Sequence, residues 1–236
     1  NISKKSIYMR GKRDSDTTLD ASANADRNRL YGKMAENYPD AQLVTVAPKD
    51  VRLSDGSVPQ NLGVKLDRFV KPVSEGGYGG RIFHDAKTDT LILSVNMTTQ
   101  KQKTVMERVE IPYARNEKGE WRADFSEHSE FTTTIPSDLV KKRRVHFAVA
   151  NDALALEMAK NPGLKQNLAF DERISKLVEN GVGESPNPYS WHHVDGGGEM
   201  QLVDHALHAL FLHQGGFSEW SAAGTVTRKD LLRQGE

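Results

Sequence analysis

Trp191-His192-His193-Val194-Asp195-Gly196-Gly197-Gly198-Glu199-Met200-Gln201-Leu202-Val203-Asp204-His205-Ala206-Leu207-His208 decides how this chain reads, and it continues through Phe211-Leu212-His213-Gln214-Gly215-Gly216 to Trp220. Five of the eight histidines fall inside it. Imidazole ligates divalent metals and is a base near neutral pH, so such a cluster beside a helix suits holding a metal against a phosphodiester. Pro188 through Val194 reads as extended, the glycine triplet as a turn, Met200 to Val203 as a return strand, and Asp204 to Leu212 as a helix.

That strand, strand, helix order can aim side chains from one strand and one helix at a single metal, leaving positions for a phosphate oxygen and water. Adjacent residues on a strand point to opposite faces, so His192 and His193 are expected to divide the work, one ligating and the other taking a proton from water. His205 and His208 neighbour each other on the helix, whereas His213 lies about 140° from His208 on an ideal helix. Both can ligate only where the helix ends, and Gln214-Gly215-Gly216 is a plausible stop.

Outward from this segment, residues 1–40 are polar and read as an arm or linker, with a short helical pattern at Arg27 to Asn37. Residues 41–135 form a β-rich region of unassigned role. QLVTVAP, VKLDRFVKPV, GRIFHD, TLILSVNMTT, TVMERVEIPYA and GEWRADF read as strands of an antiparallel sheet or small barrel. Gly76-Gly77-Tyr78-Gly79-Gly80 lacks the Lys-Ser/Thr ending of a phosphate loop and reads as a hairpin turn. Residues 136–236 are mainly helical. One helix follows Ser137 as N-cap and ends near Asn161-Pro162-Gly163; another spans Asp171 to Asn180 and stops at Gly181. The fold class is therefore α+β, a β-rich N-terminal region followed by a mainly helical domain carrying the histidine segment.

Composition excludes several classes. Lys+Arg and Asp+Glu are equal at 32 each, so any pull on nucleic acid must come from a local patch. The densest basic run, Lys141-Lys142-Arg143-Arg144, could hold phosphates by charge, although such runs are usually solvated faces. Without cysteine there are no disulfides or thiolate sites, and a metal must use His and carboxylate. No apolar run approaches the ~20 residues of a membrane span. A metalloprotease is disfavoured by the absence of His-Glu-x-x-His. The first residue is Asn1, which suggests a part processed or excised from something longer.

The segment resembles the HNH/endonuclease VII superfamily of ββα-metal nucleases, in the branch marked by Trp-His-His and related to the DNase colicins. Trp191-His192-His193, Met200-Gln201-Leu202-Val203, His208, His213 and Gly215-Gly216 carry the likeness, and Pro188-Tyr189-Ser190 fits the approach. It extends loosely back to Ser137 and is silent on residues 1–135. The resemblance implies that residues 136–236 are a nuclease domain in which His192, His208 and His213 hold one divalent metal and His193 is the general base. Gln201 falls in the region of the superfamily's middle Asn, which positions the base or stiffens the loop. Val194 stands where many relatives have a third His, and Asp204 where many have Pro. His205 is an alternative ligand, with His208 preferred on motif spacing.

The expected activity is one-metal hydrolysis of DNA by an endonuclease, zinc or nickel being the bound ion and Mg²⁺ or Mn²⁺ supporting turnover. By the same likeness the chain would be an antibacterial toxin of the polymorphic, secreted or bacteriocin kind. It would be delivered from the producing bacterium to act in the target-cell cytoplasm, and be neutralised by a cognate immunity protein. The alternatives are an RNase or tRNase toxin, and a non-catalytic binding module whose histidines hold a structural metal. Trp191 and Trp220 read as packing residues, Asp195 and Glu199 as solvated turn residues or partners that orient an imidazole. His84, His128 and His146 lie outside the motif and carry no assigned role.

Overall fold

Alternation of apolar and polar residues between Arg81 and Ala123 builds antiparallel strands, because residues two apart share one face of a pleat and that face can be buried. The computed structural model describes residues 34–44, 46–47, 50–51, 66–99, 105–136, 143–194 and 198–211. The chain divides into two compact units, Asn1–Thr98 with Thr104–Asp124, and Thr99–Lys103 with Phe125–Glu236. Most of the expected N-terminal arm lies outside the described residues.

In the first unit, helix α1 (Met34–Asn37) precedes the short strands β1 (Gln42–Leu43), β2 (Val46–Ala47) and β3 (Asp50–Val51) and helix α2 (Leu66–Val70). Strands β4 (Arg81–Asp85), β5 (Thr90–Met97), β6 (Glu107–Arg115) and β7 (Trp121–Ala123) follow. The sheet order is β1-β4-β5-β6-β7, all antiparallel, with β2 and β3 forming a separate pair. Its register puts Ile82, Leu91, Leu93, Val95, Val109, Ile111, Tyr113 and Trp121 on one face, and all are buried.

Two expectations are corrected here. VKLDRFVKPV, expected as strand, contains α2 instead: Leu66, Phe69 and Val70 also satisfy helical spacing, and Phe69 is buried with its ring against Gly80, where a Cβ would collide. The Gly76–Gly80 segment is a turn but joins no two strands. It follows a single 3₁₀ turn, Val73–Glu75, and folds back on α2 through Gly77 N–H to Pro72 O (3.0 Å), Gly79 N–H to Lys71 O (2.8 Å) and Gly80 N–H to Phe69 O (2.8 Å).

The second unit contains β8 (Ser129–Thr134), α3 (Arg143–Lys160), α4 (Pro162–Leu168), α5 (Glu172–Glu179), β9 (Tyr189–His193), β10 (Glu199–Asp204) and α6 (His205–Leu210). Strand β10 is central, antiparallel to β8 and β9. Strand β8 thus belongs to this unit through its pairing with β10. Caps set the helix starts: Asn161 accepts from Leu164 N–H (3.1 Å), Asp171 from Ile174 N–H (2.8 Å), and Asp204 from Ala206 N–H (2.9 Å) and Leu207 N–H (3.3 Å). Helix α3 ends at Lys160 and α5 is followed by Gly181 at φ 56°, as the sequence predicts; the intervening α4 is an additional helix.

One face of the three-stranded sheet carries Tyr189, Trp191, Met200 and Leu202, which pack with Phe147, Ala150, Leu154 and Met158 of α3, Leu168 of α4 and Val178 of α5. Burying such a cluster stabilises the unit at roughly 25 cal/mol per Å² of apolar area removed from water. The hairpin between β9 and β10 closes through Val194 N–H to Glu199 O (2.9 Å) and ends in Gly198 at φ 71°. A side chain at Gly198 would meet the Ile135 carbonyl, which the backbone approaches closely because Ile135 N–H donates to Gly198 O (2.7 Å).

Candidate active site

The two faces of β9 separate the histidine pair. His192 and its cross-strand partner Gln201 point to the side covered by α6, while His193 and its partner Met200 point to the side covered by α3. Both imidazoles are buried. The strand alternation expected of adjacent residues thus holds, and it gives each ring its own surroundings.

On the α6 side, a two-residue step along the strand matches a three-residue step along the helix. Ser190 meets His205, Oγ to Nδ1 at 2.7 Å, and His192 meets His208, with ring centroids 5.4 Å apart and planes at 63°. Phe125 forms the wall behind both rings, 4.8 Å from His192 and 5.7 Å from His208. Gln201 is buried beside them, and its Nε2 donates to Ser126 Oγ (3.2 Å) and Glu199 Oε1 (3.0 Å). Glu199 thereby orients an amide rather than an imidazole.

Donor chemistry on this side suits a cation. The Oε1 of Gln201 is buried and makes no hydrogen bond within the described residues, an arrangement that is costly unless something else engages it, and the His192 ring lies across the strand pair from it. Imidazole nitrogen and amide oxygen are both metal-ligand atoms. The third expected ligand, His213, lies outside the described residues, as do Asp195, Gly215, Gly216 and Trp220. Among the described residues no group of three His, Asp or Glu side chains converges as a cation cage. His205, half a site away at the start of α6, is exposed and turned to Ser190 instead of His192.

On the α3 side, His193 Nε2 lies 3.0 Å from Nδ1 of His146, in a hydrogen bond buried from solvent. The ring of Phe147 packs on His193 at 5.7 Å and 33°. His146 is fully buried, and sequence reasoning assigned it nothing. The signal was present in the helical period: His146 shares the spacing of Ala150 and Leu154, so it is a polar residue on the apolar face of α3.

Trp191 is buried, and its Nε1 donates to Asn151 Oδ1 at 2.8 Å, which agrees with a packing role. Asn151 in turn donates from Nδ2 to Val182 O and Glu184 O (2.6 and 2.8 Å). The Tyr189 hydroxyl is pushed above the usual phenol range by burial, then by the charges of Glu130 and Asp204. Of the basic run, Arg143 and Arg144 open α3 and Arg144 is exposed, while Lys141 and Lys142 lie outside the described residues. His84 contacts Asp89 (3.3 Å) in the first unit, and His128 ends a 3₁₀ turn.

Residues 115–215 match the family described as the DNase/tRNase domain of colicin-like bacteriocin. That stretch is less than half of the chain, and it contains β8 through α6 together with His146, the His192-His193 pair, His208 and His213. The match supports a nuclease toxin domain, DNase or tRNase, in this part of the chain. No curated protein and no solved structure matches. No described helix is long and apolar enough to cross a membrane.

Proposed function

We propose that the second unit is a metal-dependent endonuclease that hydrolyses DNA phosphodiester bonds as an antibacterial toxin. The observation that carries this reading is the apposition of His192 and His208, brought from a strand and a helix to one buried wall inside the stretch that resembles a bacteriocin nuclease domain. His192 and His208, joined by His213, are the proposed ligands of one divalent ion, zinc or nickel by donor type, with Mg²⁺ or Mn²⁺ able to support turnover. Bound there, such an ion supplies Lewis-acid stabilisation of charge gathering on the phosphate oxygens.

His193 is the proposed general base. It takes a proton from a water molecule whose oxygen attacks phosphorus in line; the bond to the 3′-oxygen breaks, and that oxygen takes up a proton from solvent. The arrangement uses no ribose 2′-hydroxyl, which favours DNA. A second reading, cleavage of tRNA, is favoured by the matched family's own description. Arg143 and Arg144, with Lys141 and Lys142, are proposed phosphate contacts. The likeness to a bacteriocin domain also supports delivery into the cytoplasm of a rival cell and a neutralising immunity protein in the producer.

Plasmid and tRNA incubated with the chain under EDTA, Mg²⁺, Mn²⁺, Ni²⁺ or Zn²⁺, beside His193→Ala, test the proposal. Metal-dependent nicking or linearisation lost in the variant is expected. Intact plasmid with cut tRNA moves the substrate to RNA, and a folded chain that cuts neither under any metal overturns the nuclease reading.

A further inference from the structure

We infer that His146 is a positioning residue for His193, accepting a hydrogen bond at Nδ1 from the Nε2–H of His193 and so holding the base in the tautomer whose basic atom is Nδ1. The inference rests on the proposed role of His193 and adds to it a residue outside the Trp-His-His segment. The two atoms are 3.0 Å apart in a buried contact that spans 47 positions of sequence, and Phe147 packs on the face of the His193 ring.

A hydrogen bond between two neutral imidazoles permits one proton between the facing nitrogens, so the pair has two arrangements. Where His146 donates, His193 carries its own proton on Nδ1 and has no basic nitrogen left to serve as a base. Where His193 donates, its Nδ1 is basic, and a proton accepted there leaves Nε2–H in place against His146. Only the second arrangement is compatible with the proposed chemistry, and in it His146 does for His193 what an orienting acceptor does for any catalytic imidazole: it selects the tautomer and fixes the ring plane. The fully buried setting of His146 keeps water from competing for the contact in either arrangement, so the chemistry required of His193 is what selects between them.

The test compares His146→Asn, whose Oδ1 can replace the accepting Nδ1, with His146→Leu, which fills the space without an acceptor. With the metal-loaded chain on plasmid, kcat is expected to fall roughly 10- to 100-fold in His146→Leu with KM little changed, and to recover most of that loss in His146→Asn. Two-bond proton–nitrogen correlation spectra of the wild-type imidazoles are expected to show His193 protonated on Nε2 and His146 bare on Nδ1. Equal impairment of the two variants, undiminished kcat in His146→Leu, or the opposite pair of tautomers overturns the positioning role. A folded wild-type chain that cuts no nucleic acid overturns the nuclease reading itself, and the spectra still decide the tautomer.

Discussion

Trp191 and Asn151 are tied by a 2.8 Å hydrogen bond from the indole Nε1 to the amide Oδ1, and this bond attaches the histidine-bearing strand β9 to helix α3. Asn151 is fully buried, and its Nδ2 also holds the carbonyls of Val182 and Glu184 on the approach to β9 through two partly buried bonds. Asn151→Ala leaves one indole N–H and two carbonyls without their partner, each costing about 1–3 kcal/mol when buried. We expect a loss of about 3 kcal/mol or more in urea unfolding of the second unit, and a loss under about 1 kcal/mol would show that the bond is not a structural tie.

Metal binding separates the helix histidines. Isothermal titration with Zn²⁺ is expected to give one site, weakened by more than about 100-fold in His192→Ala or His208→Ala, since losing an outer-shell partner already costs about 10- to 100-fold. His205→Ala is expected to bind as the wild type does, because that ring is held by Ser190. Equal losses in His205→Ala and His208→Ala would contradict the proposed ligand set.

EDTA distinguishes an ion that serves chemistry from one that holds the fold. The buried cluster of the second unit forms from α3, α4, α5 and the sheet without the histidines, so chelation is expected to abolish cleavage while the circular dichroism spectrum persists. Unfolding on chelation would favour the structural-metal reading.

Gly198 is expected to tolerate no side chain. Its φ of 71° and the nearby Ile135 carbonyl combine backbone strain with a collision, so Gly198→Ala should destabilise the unit by about 1–3 kcal/mol. Thermal unfolding with an unchanged midpoint would refute this.

Alkaline pH acts through Tyr113 and Tyr189, whose hydroxyls are both raised, Tyr113 by burial and Tyr189 by burial and then by Glu130 and Asp204. Below about pH 10 each phenol is neutral in the folded and unfolded chain alike, so stability is unaffected. Above it the unfolded phenol ionises while the folded one resists, and stability falls by about 1.4 kcal/mol per pH unit for each tyrosine. Urea midpoints measured on either side of that pH should show the decline, and Tyr189→Phe should reduce it in the second unit.

The strand, strand, helix order around Trp191 was readable because each piece carries a local signal: alternation in Tyr189–His193 and Glu199–Asp204, a glycine turn between them, and Asp204 as a cap. VKLDRFVKPV misled because a few residues can satisfy two periods at once, and in the folded chain Phe69 packs from a helix against Gly80. Strand β8 was not among the segments read as strands, and what makes Ser129–Thr134 one is its pairing with β10, a partner distant in sequence.

By itself the sequence determined that His192 and His193 take opposite faces, because adjacent strand residues diverge. It could not determine what each face meets. His193 finds His146, and His192 finds Phe125, only when α3 and the chain at Phe125 pack on opposite sides of the same sheet. Such contacts arise from burial of distant apolar surfaces against one another, an energy proportional to area and indifferent to order along the chain, so no local pattern encodes them.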